Sequence, residues 1–149
     1  MAQKRTAQLD ARLQMTTSLV RPHAVFADVG CDHGHLAIEL MRQGAVRGYA
    51  CDINPGPLES ARRNILHAGL EGCVETVLTD GLEGMEARGI TDVTIAGIGG
   101  EVITDILRRA VFLQQPGIRL ILQPQSREHI LRTFLAENGF PVFFEQAVR

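Results

Sequence analysis

The stretch Asp28-Val29-Gly30-Cys31-Asp32-His33-Gly34-His35 leads out of an apolar run at 24–29 and into a segment of helical period at 36–42. A buried strand, a glycine turn and a helix in succession form the opening unit of a parallel α/β sheet. The same alternation continues along the chain. Strands are expected at 24–29, 48–53, 74–79, 92–96, 119–123 and 142–146, and most are continuously apolar, as strands covered on both faces should be. Helices are expected at 36–42, 57–67 and 101–109, and from a Ser126 cap to Asn138, with glycines beyond several of their ends. A short N-terminal helix at 7–19 carries Leu9, Leu13 and Leu19. The expectation is an α/β fold with five βα units in a row, a mostly parallel sheet and helices on both faces.

Composition narrows the function classes. With 45% hydrophobic and 21% charged residues, the 149-residue chain has the make-up of one ordinary globular domain, which excludes disorder and collagen-like repetition. A net charge of -2 supplies no global basic field for a nucleic acid, although Lys4, Arg5 and Arg12 form a local basic arm. Aromatic residues are 5% and Trp is absent, which argues against a surface built on repeated base stacking. No apolar run approaches the roughly 20 residues that span a bilayer, and no targeting pattern stands at the N-terminus, so the chain reads as cytoplasmic with no membrane partner. Three cysteines without C-x-x-C spacing point to reduced thiols. The chain stops just after a strand signal, with no turn or cap, which reads as a fragment boundary.

Ligands of open α/β sheets bind beyond the carboxyl ends of the strands, where strand order reverses. The turn at 28–35 is not a dinucleotide fingerprint, because G-x-G-x-x-G counted from Gly30 needs glycine where Asp32 and His35 stand. It is not a Walker loop either, because His35 replaces the second glycine and no Lys-Ser/Thr follows. Asp28 and Asp32 would repel a pyrophosphate, so the ligand near this loop should be cationic. S-adenosylmethionine (SAM), with its sulfonium and ammonium, meets that requirement. Asp52 ends the second strand, where an acidic side chain can accept from both ribose hydroxyls. Asp80, after the third strand, either accepts from the adenine amino group or merely turns the chain with Gly81. Gly30 and Gly34 let the backbone come close to the ligand. The glycine-rich turn at 96–100 is either a tight connection or an open backbone edge for a flat base.

Cys31, Asp32, His33 and His35 are all of metal-ligating type, but adjacent residues on one tight turn do not converge on a tetrahedral ion, so no metal is expected. Cys31 and Cys51 read as small buried residues at neighbouring strand ends. His33 either caps the following helix or touches the ligand. Asp52 is read as the carboxylate that closes a buried strand, and Arg108 and Arg109 as a solvated helix end.

The blocks DVGCDHGHL, CDINPGPLESARRNI, the DGL at 80–82, IAGIGGEVI, LILQPQS and LRTFLAENGF together resemble the bacterial tRNA methyltransferase family called TrmK, over nearly the whole chain. Members of that family transfer a methyl group from SAM to N1 of adenine 22 in tRNA. The resemblance implies a Rossmann-like class I methyltransferase domain over 1–149. It implies SAM bound through Asp28, Gly30, Cys31, Asp32, His33, Gly34, Asp52, Ile53, Asn54, Asp80, Gly81, Ala96 and Gly97. It also implies a tRNA partner, gripped in part by a helical C-terminal domain that family members carry and this chain lacks. No Asp/Asn/Ser-Pro-Pro-aromatic tetrad follows the fourth strand, which favours a ring nitrogen over an exocyclic amine. Neutral adenine N1 already offers a lone pair, so no general base is required, and Asp32, His33 and Glu101 are positioning candidates. A non-catalytic SAM-binding module and a methyltransferase for a small metabolite are the rival readings.

Overall fold

A computed structural model of the chain describes residues 9–148. Five strands, β1 (Val25–Val29), β2 (Arg47–Asp52), β3 (Val74–Leu78), β4 (Asp92–Gly99) and β5 (Arg119–Ser126), form one sheet in the order β3-β2-β1-β4-β5. Every neighbouring pair is parallel. The helices are α1 (Ala11–Leu19), α2 (His35–Arg42), α3 (Pro55–His67), α4 (Gly100–Arg109) and α5 (Glu128–Glu137). This is the Rossmann-like arrangement expected from the sequence.

Alternate residues along the strands face opposite layers, so one sheet supports two cores. Phe26, Ala50 and Val74 pack with Leu36, Leu40, Leu58 and Ile65 on the side of α2 and α3. Ala27, Val29, Cys51, Val93 and Ile95 pack with Ile103, Leu107, Leu131 and Phe134 on the side of α4 and α5. Chain order reverses between β1 and β4. The helices that follow these two strands leave to opposite faces, and a crevice opens between them at the carboxyl ends.

Four expectations need correction. The passage from β3 to β4 contains no helix; residues 79–91 form turns whose Leu82, Met85 and Ile90 plug the core, with Gly81, Gly84 and Gly89 in left-handed conformations that a helix cannot propagate. Four βα units are therefore present among the described residues, not five. Ser126 is the last residue of β5, paired with Gly99, and the position before α5 belongs to Arg127. Segment 142–146 is not a strand. It pairs with no strand, leaves Phe143 92% exposed, and touches α5 through ion pairing of Glu145 with Arg132. α1 starts at Ala11 because the Asp10 carboxylate accepts from the Leu13 N–H and caps it, and its buried residues are Thr16 and Thr17 rather than a leucine stripe. Lys4 and Arg5 lie outside the described residues.

The amino ends of the strands are closed by Arg21. Its backbone N–H and guanidinium donate to the fully buried carboxylate of Asp92 at 3.0–3.3 Å, and its Nη2 also donates to the carbonyls of Thr91 and Gly117. The Thr91 hydroxyl donates to the same carboxylate. Removing the guanidinium would leave a buried charge without its partner. Arg21→Ala is expected to lower the unfolding free energy by roughly 3 kcal/mol, measured by urea denaturation. A loss below about 0.5 kcal/mol, the range of ordinary surface substitutions, would show that this clip contributes little.

Candidate functional site

A cleft of about 650 Å³ lies over the carboxyl ends of the strands. Asp28, Gly30, Cys31, Asp32, His33, Asp52, Ile53, Asn54, Asp80, Gly81, Ala96 and Gly97 all line it, so the structure brings together nearly the whole set singled out in the sequence. Two of those residues stand apart from the lining. Gly34 is buried beneath the loop, where a Cβ would come within 3.1 Å of Ala61 Cβ, so its smallness serves the packing of α2 against α3. Glu101 is exposed on the first turn of α4 and faces Arg127 at 3.9 Å.

The turn after β1 is anchored to β2, since the N–H groups of Gly30 and Cys31 both donate to the Cys51 carbonyl, at 2.9 and 3.0 Å. Asp32 adopts a left-handed φ of 46°, a conformation that aspartate tolerates better than most side chains. His33 does not cap α2. Its Nδ1 lies 2.7 Å from the Ser60 hydroxyl on α3, its Nε2 lies 3.5 Å from Asp32, and its carbonyl accepts from Asn64. The histidine therefore fastens the loop to α3 while its ring forms part of the cleft wall.

The buried carboxylate of the site is Asp28, not Asp52. Asp52 is half-buried, and its Oδ1 accepts the Asn54 N–H at 2.9 Å, turning the chain into α3. Asp28 is 4% exposed, and its Oδ1 accepts from the Thr94 hydroxyl at 2.8 Å. Burial pushes its pKa up to about 7; the Thr94 hydrogen bond opposes the rise, and the nearby charges of Asp52 and Asp32 add to it. The thiols of Cys31 and Cys51 are both buried and both pushed up to about 12, chiefly by burial and then by the charge of Asp28, so they stay protonated and inert.

Arg109 is not a solvated helix end. Its guanidinium donates to Asp80 and Asp105 at 3.0 Å, lies 3.5 Å from Glu83, and forms a wall shared by the main cleft and a smaller one of about 360 Å³. Arg108 instead lies over the Phe134 ring. Sequence reading also missed Gln123 and Gln125, which line the cleft because β4 and β5 stay paired beyond Ala96. The Gln123 carbonyl oxygen accepts the Gly97 N–H at 2.9 Å. Polar residues prolonging an apolar strand were the available signal. Six aspartates against two arginines make the lining acidic, as a cationic ligand requires. Among the described residues, no group of three or more His, Cys, Asp or Glu is disposed to hold a metal ion, and no helix is long and apolar enough to cross a membrane.

Comparison with known proteins agrees with this fold. The methyltransferase domain family matches residues 9–149. The tRNA (adenine(22)-N(1))-methyltransferase of Bacillus subtilis is 32% identical over 93% of this chain and 58% of its own length. TrmK of M. capricolum, solved with S-adenosyl-homocysteine, is 30% identical with a TM-score of 0.85 over 96% of this chain and 64% of that one. A putative tRNA (m1A22) methyltransferase of Streptococcus pneumoniae, solved with S-adenosyl-L-methionine, is 35% identical with a TM-score of 0.83 over 89% and 63%. The chain thus spans about 60% of the length of these relatives.

The raised pKa of Asp28 has a consequence for stability. Between the ordinary value of 3.8 and about 7, the unfolded chain has lost the Asp28 proton while the folded chain keeps it. Stability therefore falls as pH rises through this window and levels off above it. Asp28→Asn should remove that slope and stabilise the free chain at pH 8 by on the order of 2–4 kcal/mol. Parallel urea titrations across the window test this, and an unchanged slope in the variant would show that Asp28 is not its source.

Proposed function

This chain belongs to the methyltransferase domain family, and on that premise we propose that it transfers a methyl group from SAM to N1 of adenine in tRNA, at position 22 as in the B. subtilis relative. The observation that carries the reading is the ring of carboxylates, Asp28, Asp32, Asp52 and Asp80, over the point where strand order reverses. A cleft of this charge suits a ligand with a sulfonium and an ammonium and repels a pyrophosphate. When bound, SAM supplies a methyl group on a positively charged sulfur.

The residues of the chain divide the binding between them. Asp28 and Asp32 face the cationic end. Asp52 keeps one oxygen free of the Asn54 turn for ribose hydroxyls, and Asp80, steadied by Arg109, accepts from an adenine amino group. The open backbone at Gly30, where a Cβ would meet nothing within 4 Å, leaves room for close approach. Adenine N1 is neutral and carries a lone pair, so the protein has no proton to remove before attack. Catalysis then rests on holding N1 about 3 Å from the methyl carbon and in line with sulfur. Asp32 and His33 are positioning residues in this account. Glu101, outside the cleft lining, is left without a role at the methyl group.

The tRNA substrate rests on the relatives and on Arg12 at the cleft rim, which is paired with Asp10 at 3.4 Å. With a net charge of -2, the chain can offer few phosphate contacts, so its affinity for tRNA should be weak and depend only shallowly on salt.

Incubation with labelled SAM and unmodified bulk tRNA, followed by nucleoside analysis, should yield 1-methyladenosine. Label in another nucleoside, or SAM binding without any transfer to tRNA, would overturn the proposal. Asp52→Asn keeps the oxygen that turns the chain but loses the charge, and should weaken SAM binding by roughly 1–3 kcal/mol. Unchanged affinity in a calorimetric titration would remove Asp52 from the ribose.

A further inference from the structure

We propose that Gln125 selects adenine, by pairing its side-chain amide with N6 and N7 of the target base so that N1 is left facing the methyl donor. The inference rests on the reading of the cleft as an adenine-N1 methyltransferase site.

The order of the strands divides the cleft. The carboxylates Asp28, Asp52 and Asp80 stand at or just beyond the ends of β1, β2 and β3, the middle strand of the sheet and the two to one side of it. On the other side, the strand residues that β4 and β5 contribute to the lining, Ala96, Gly97, Ile98, Gln123 and Gln125, are all uncharged, and the charged residues that α1 and α4 bring there are paired, Asp10 with Arg12 and Asp105 with Arg109. A cationic cofactor belongs over the first half, and an uncharged base over the second.

Most polar side chains of the lining already have partners: Asp28 with Thr94, Asp80 with Arg109, His33 with Ser60, and Gln123 with the Gly97 N–H. Two amides have none among the described residues. One is Asn54, beside Asp52 on the acidic half. The other is Gln125, exposed near the end of β5 and, like Gln123, part of the cleft lining.

The backbone that carries Gln125 is held in place. β4 and β5 remain paired on either side of it, Ile98 with Pro124 and Gly99 with Ser126, across a register shift that leaves Gln125 itself without a partner residue in β4. The next residue, Arg127, sits in a left-handed conformation with φ of 51°, and its carbonyl oxygen presses so close to Gly100 that a Cβ there would lie 2.3 Å away. The glycine thus admits a contact that clamps the end of β5 to the start of α4. The clamp holds the backbone two residues beyond Gln125.

The chemistry of an amide matches one base. The side-chain oxygen of Gln accepts from the N6 amino group of adenine while its NH2 donates to N7. Guanine presents two acceptors, O6 and N7, along the same edge, and so would set oxygen against oxygen. Reading adenine along this edge leaves N1, on the neighbouring edge, free to react.

The test is single-turnover methyl transfer with the chain in excess, on tRNA carrying either adenosine or 7-deazaadenosine at position 22. The unaltered chain should be slower on 7-deazaadenosine by about tenfold, because the N7 acceptor is gone. Gln125→Leu should be slower on adenosine by about tenfold or more and show no further loss on 7-deazaadenosine, while its SAM affinity is unchanged. Gln125→Glu, which can accept from N6 but cannot donate to N7, should be intermediate and equally indifferent to the deaza substitution. Equal sensitivity to the deaza base in the parent and the Leu variant, or none in the parent, overturns the assignment of Gln125. Absence of any transfer to adenine by the unaltered chain overturns the functional reading beneath it.

Discussion

One side-chain hydrogen bond, from the Thr94 hydroxyl to the buried Asp28 carboxylate, links the paired strands β1 and β4 at the point where the chain reverses its order across the sheet. The two residues are direct neighbours in the β1–β4 register. Around them, α2 and α4 depart to opposite faces, and the crevice between them is where every loop of the site converges. A carboxylate in so dry a place is costly when charged and has one hydroxyl to answer it, so the free chain gives up its proton only around pH 7. The site is in this sense prepared for a positive partner.

The two ends of the sheet deal with buried aspartates in opposite ways. At the amino ends, Asp92 is enclosed by Arg21 and the Thr91 hydroxyl and has no remaining call on a ligand. At the carboxyl ends, Asp28 is paired with no guanidinium, and the two arginines of the cleft lining are occupied, Arg12 by Asp10 and Arg109 by Asp80, Asp105 and Glu83. One end is thereby closed and structural. The other leaves Asp28 without a cationic partner, beside the carboxylates of Asp32 and Asp52, which is the arrangement a positive ligand would complete.

The five described strands, their parallel arrangement and the covered faces were legible because continuous apolar runs, glycine turns and helical stripes agree with one another along the chain. The aspartates at the strand ends were legible for a similar reason, as charged residues closing apolar runs. Which of them is buried was not, because depth depends on neighbours brought in by β4, and Asp52 and Asp28 look alike in sequence. Ser126 has the composition of a helix cap, yet the pairing of Gly99 with it, permitted by the close contact at Gly100, draws it into β5. Segment 142–146 has strand composition but finds no edge to pair with among the described residues. The ion pairs of Arg109 and the amide of Gln123 join residues distant in sequence, and local pattern carries no trace of them.

The central claim is that Asp28 becomes charged to meet the cationic part of the cofactor. Calorimetric titration with SAM between about pH 5.5 and about pH 7 tests it most directly, since the cofactor's amino group stays protonated over that range. The account predicts that affinity rises with pH and that protons are released on binding, both effects vanishing in Asp28→Asn. Affinity independent of pH, with no proton release in the unaltered chain, would contradict it.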